Sequence, residues 1–95
     1  MDKYIPHPID TTDVQLSDDV MDLCEQMAKN THEVWSAGRI NQGWSYGECR
    51  DDAKKQHPCL IPYEQLSEDE KDFDRNTALE TLKLIVKLGY KIEKI

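Results

Sequence analysis

Residues 32–63, HEVWSAGRINQGWSYGECRDDAKKQHPCLIPY, hold both tryptophans of the chain, and most of them lie between two stretches of helical period. Glycines at 38, 43 and 47 and prolines at 58 and 62 break any regular repeat across them. Their content of Trp, Tyr, Pro and Cys argues against disorder. A connection this long is uncommon inside a small domain, and such loops are usually functional or disordered. An ordered, packed loop that builds a recognition surface is the reading that remains.

The flanks say what the loop is mounted on. Ser17 is an N-cap residue, and Asp18 and Asp19 follow where the helix dipole favours negative charge. Val20, Leu23, Cys24, Met27, Ala28, Val34 and Trp35 fall at helical spacing, which predicts a helix over 18–40 that crosses Gly38 at some cost in stability. Glu25 and Lys29 are spaced for an i,i+4 pair, and Trp35 and Arg39 sit one turn apart, an arrangement suited to stacking or a cation–π contact. Ser67-x-x-Glu70 is a capping box. It opens a second helix over 68–88 whose apolar positions are Phe73, Ala78, Leu79, Leu82, Ile85 and Val86. Gly89 then stands where a left-handed residue ends a helix, with Tyr90 placed to fold back on Leu84 or Ile85.

These elements predict one domain over 1–95, mainly α. Its fold is an antiparallel pair of long helices joined by the ordered aromatic and proline-rich loop, 41–66, with extended arms or short strands at the termini. In the arm, 1–16, the apolar residues Tyr4, Ile5, Ile9, Val14 and Leu16 are expected to wrap the core. The tail, 90–95, alternates apolar and polar residues like a short strand. The stripe from Leu82 to Leu88 is wider than one partner helix covers, so the arm, the loop or a second copy of the chain must cover the rest.

A net charge of −7 repels phosphate backbones and disfavours nucleic-acid partners. No apolar run is long enough for a membrane span or a secretory leader, and three cysteines, an odd number, fit reduced thiols in the cytoplasm. Neither a cofactor nor a metal is expected. His32-Glu33 lacks the second histidine that a zincin helix needs, because position 36 is Ser, and Cys24, Cys49, His57 and Cys59 do not have finger spacing. Asp51, Asp52 and His57 could serve acid–base chemistry, which keeps a hydrolase as the weaker alternative, with no catalytic residue assigned. Trp35 and Trp44 read more readily as core or loop anchors than as ligand contacts, and pairing with nearby carboxylates such as Glu48, Asp51 and Asp52 is the commoner fate of residues like Arg39 and Arg50.

Taken in order, Tyr4-x-Pro6-x-Pro8-Ile9-Asp10, HEVW…RI…GW-x-YG, RDD…HPCL-x-PY and RN-x-x-L-x-x-LK…LGY cover essentially the whole chain. They resemble the ryanodine receptor repeat, the RyR domain, in a stand-alone form of prokaryotic or phage type. The resemblance implies a helix pair with short strands and a non-catalytic role. It implies no channel, since these repeats lie in cytoplasmic regions remote from the pore. Repeats of this family pack in pairs about a pseudo-two-fold axis, which implies that a solo repeat could form a homodimer. In the channels the repeat region is linked to adenine-nucleotide-type ligands held by aromatic and basic side chains. The matching candidates are Trp35 and Arg39, with Trp44, Tyr46 and Arg50 near them in sequence. The expected function is thus a binding or interaction module that takes a nucleotide-like anion or a protein partner, with a purely structural homodimer as the alternative.

Overall fold

The computed structural model describes residues 3–95; Met1 and Asp2, the start of the expected arm, lie outside the described residues. Helix α1 (Asp18–Asn41) and helix α2 (Glu68–Lys87) form an antiparallel pair. Between them lie two short strands, β1 (Ser45–Tyr46) and β2 (Gln56–His57), and a 3-10 turn over Tyr63–Gln65. The helices run in opposite senses, because contacts further along α1 meet earlier positions of α2. Glu25 reaches Arg75, while His32, two turns further on, shares a cavity with Glu70. Among the described residues no helix is long and apolar enough to cross a membrane.

The helix ends follow their local sequence. The Ser17 hydroxyl accepts from the Val20 amide at the start of α1. Ser67 and Glu70 make both halves of the capping box that starts α2. At the end of α2, Gly89 takes a φ of +96°, open to glycine without strain. The Gly89 amide then bonds to the Val86 carbonyl and the Tyr90 amide to the Ile85 carbonyl, which closes the helix. Tyr90 itself is exposed.

The core is small: Val20, Ala28, Tyr63, Leu66, Ala78 and Leu82 are buried, and Cys59 and Ile61 pack against the cluster of Ala28, Tyr63 and Leu66. The buried line of α1 passes through Val20, Ala28 and His32, so Val34 points away and is 64% exposed, contrary to the apolar face expected for it. Phe73 also departs from expectation, at 80% exposure. It is nine residues from Leu82, about half a turn out of phase at 3.6 residues per turn, and so lies on the other side of α2.

The arm differs in part from its expected role. Val14 and Leu16 are half-buried, whereas Tyr4, Ile5 and Ile9 are exposed, and polar contacts also hold the arm. The buried Thr11 hydroxyl donates to Glu80 at 2.7 Å, and Lys87 donates to both oxygens of Asp13 at 3.0 and 2.9 Å. The tail over 90–95 forms no strand; the strands lie within the loop, where β1 and β2 pair in parallel with Ser45 opposite Gln56 and Tyr46 opposite His57. Gly47 permits this pairing, because a Cβ there would lie 2.6 Å from the Gln56 Cβ. Asp51 bridges back to Gln56 through two 2.9 Å main-chain bonds and accepts the Lys54 amide on its carboxylate.

Candidate functional site

The loop returns to α1 along a line of rings. His32 stacks against Trp35, with centroids 5.8 Å apart and planes at 28°, and lies 6.2 Å from Tyr63. His57, brought over by β2, meets Trp35 edge-on at 5.0 Å and approaches Trp44 at 6.4 Å. The Arg39 guanidinium lies 4.8 Å from the Trp44 ring centre and 5.8 Å from that of Trp35. The one-turn spacing of Trp35 and Arg39 therefore produces a cation–π contact, and the loop adds a second tryptophan to it.

Beside these rings an open cavity of about 670 Å³ lies between α1, the loop and the start of α2. Trp35 and His32 line it from α1, Arg50, His57 and Cys59 from the loop, and Asp69, Glu70, Phe73 and Asp74 from α2, with Leu66 beneath. Of the five residues singled out by sequence, Trp35 and Arg50 line the cavity, while Arg39 and Trp44 adjoin it through Trp35 and His57. Tyr46 is an exposed residue of β1, opposite His57 in register.

Charge around the cavity is divided. Arg50 is engaged, its Nε 2.9 Å from an Asp52 carboxylate oxygen. Arg39 forms no ion pair among the described residues, in a chain of net charge −7. Across from them Asp69, Glu70 and Asp74 make the α2 wall acidic. Burial raises the Asp74 carboxyl above its ordinary range. Glu70 is held below its range, first by the Cys59 thiol and then by the Ser67 hydroxyl, both of which donate to it. Burial, reinforced by that contact with Glu70, pushes the Cys59 thiol up to about 11.

His57 makes a bond that fixes its proton. The Cys59 amide donates to His57 Nδ1 at 3.0 Å, so the ring proton sits on Nε2. Burial, then the charges of Arg50 and Arg39, lower the His57 pKa. With His57 so engaged, Asp52 on Arg50 and Asp51 on the Lys54 amide, the three groups considered for acid–base chemistry each serve the loop's own structure.

His32, Phe73, Asp74 and Cys59 belong to the site without having been singled out for it. His32 carried one readable signal, since it precedes Trp35 by one turn on the same helix. The others meet the loop only through the tertiary fold. The family model of the RyR domain, a family of non-enzymatic interaction repeats, matches residues 4–94, nearly the whole length. With its match running from the arm through both helices and the ring-lined loop, the chain belongs to the RyR domain family.

Proposed function

We propose that this chain is a non-catalytic cytoplasmic recognition module that holds a nucleotide-like anionic ligand against Trp35. The flat part of the ligand stacks on Trp35 in the cavity, and its anionic part meets Arg39 and Arg50, with Trp44 and Tyr46 flanking. One observation carries the reading: the Arg39 guanidinium lies over the rings of two tryptophans beside the cavity and has no carboxylate partner among the described residues. The ring contacts favour this placement of the guanidinium, and its unspent charge suits phosphate. The cavity is also of the size that small ligands occupy, roughly 300–1,000 Å³.

Titrating nucleoside mono- and triphosphates while following tryptophan fluorescence and heat tests it. Binding should change the emission and weaken at least tenfold in Arg39→Met, which preserves the side chain's bulk. No heat at millimolar nucleotide, or equal binding in Arg39→Met, overturns it.

A second reading has its own observation. Ile85, Leu88 and Tyr90 are exposed at the end of α2, and the arm tethered to that helix exposes Tyr4, Ile5 and Ile9. This apolar end suits a self-association module that pairs two copies. Sedimentation at micromolar concentration should then show a dimer that Leu88→Glu dissociates. A monomer at every concentration rejects the reading.

A further inference from the structure

His32 and Arg39 stand seven residues apart on α1, about 10 Å along the axis at 1.5 Å per residue, with Trp35 between them. The Arg39 end offers donors. The His32 end is the reverse.

His32 is only 4% exposed, and its Nε2 lies 2.7 Å from the Ile61 carbonyl. A carbonyl only accepts, so in the neutral ring the proton is on Nε2 and Nδ1 is an acceptor. The Ser36 hydroxyl, at 3.4 Å, also approaches Nε2 and leaves Nδ1 untouched. Nδ1 has no hydrogen-bond partner among the described residues. Yet none of their buried side-chain nitrogens or oxygens is sealed away without one. Nδ1 is therefore not sealed from solvent, and His32 is one of the residues that line the cavity.

From α2 the half-buried Asp74 lines the same cavity, also without a hydrogen bond or ion pair among the described residues. Glu70 beside it is already taken by Ser67 and Cys59. Trp35 and Phe73 supply flat apolar faces to the same space.

We propose that the inner end of this cavity binds a planar, hydrogen-bond-donating group, an amidine, guanidine or ring amine, with His32 Nδ1 and the Asp74 carboxylate as its acceptors. A ligand without donors leaves both acceptors unpaired in a partly desolvated site, so the pair selects by rejecting it. The inference deepens the proposed function, resting on the same cavity: it names the head group of a ligand whose anionic end faces Arg39.

Benzamidine tests the inner end alone, because it has a flat ring and amidine donors but no anionic part. Benzoate is the matched control, with the same ring and acceptors only. Both are titrated into the whole chain, into His32→Gln and into Asp74→Asn, each variant first checked for a native amide spectrum. The glutamine amide nitrogen takes the place of Nε2 and keeps the bond to Ile61 while removing the Nδ1 acceptor. Benzamidine should bind the native chain, bind each variant at least tenfold more weakly, and move the His32 Nδ1 resonance. Benzoate should not bind. Equal binding of the two probes, or benzamidine binding unchanged in both variants, overturns the inference. If nucleotides bind as proposed and benzamidine does not, this inference alone falls. If benzamidine binds and no nucleotide does, it stands and the anionic-ligand reading falls.

Discussion

The His32 imidazole donates from Nε2 to the main-chain carbonyl of Ile61, 2.7 Å away, and so pins the proline-bounded end of the loop to the middle of α1. Ile61 packs against the buried Ala28, Tyr63 and Leu66, which makes this bond the point where loop, helix and core meet. His32→Ala leaves a carbonyl without its donor and empties a buried site. The expected loss is roughly 2–4 kcal/mol in urea unfolding, with His32→Gln costing about half as much. Equal, small losses in both variants would show that the bond does not anchor the loop.

A second tie joins the helices nearer the open end of the pair. Arg75 grips Glu25 with two bonds, Nε to Oε2 at 2.7 Å and Nη2 to Oε1 at 3.1 Å, and the Tyr63 hydroxyl donates to the same carboxylate at 3.0 Å. Arg75 also bonds to Glu68 and Asp72, both at 2.9 Å. Solvent screens the cluster, yet the two-pronged geometry places it at the upper end for surface pairs. A double-mutant cycle of Glu25→Gln and Arg75→Met should give a small favourable coupling that shrinks in about 1 M salt. A coupling indistinguishable from zero at low salt refutes the tie.

Acid should loosen the loop through His57. Its pKa is lowered from 6.5 by burial and by Arg50 and Arg39, with Glu70 and Asp52 opposing them. The unfolded chain therefore binds this proton more tightly than the folded one. Stability falls as the pH drops through 6.5 and stops falling, for this group, below the folded value. Protonation also ends the acceptance of the Cys59 amide at Nδ1. Between about pH 7 and pH 5.5, above the range where carboxylates titrate, His57→Gln should flatten the slope of stability against pH. An unchanged slope would assign it elsewhere.

Thiol chemistry should separate the three cysteines. Cys49 is exposed, whereas burial raises the thiol pKa of Cys24, and burial with Glu70 pushes Cys59 up to about 11. Because the thiolate is the nucleophile, iodoacetamide near neutral pH should label Cys49 first. Cys49→Ser should remove the fast phase. In Glu70→Gln, which removes the charge beside the thiol, Cys59 should react several-fold faster; an unchanged Cys59 rate would mean that Glu70 does not hold its proton.

Much of the frame was legible because its causes are local. Ser17, the Ser67–Glu70 box and Gly89 act within a turn or two of their own position, so the ends of both helices could be read from neighbouring residues. The pairing of Trp35 with Arg39 was likewise a matter of one helical turn. What lay beyond reach was chosen by partners distant in the chain. Glu25 bonds with Arg75 and Tyr63 and not with Lys29, which pairs with Glu64. Phe73 left the expected core for the cavity rim, and the strand pairing formed inside the loop and not in the tail. Sequence alone determined two capped helices and a ring-bearing loop, because capping and periodicity are properties of neighbours. Only the packing of α1 against α2 decided that His32 and Asp74 share one cavity, since residues 42 positions apart meet through the geometry of the whole chain.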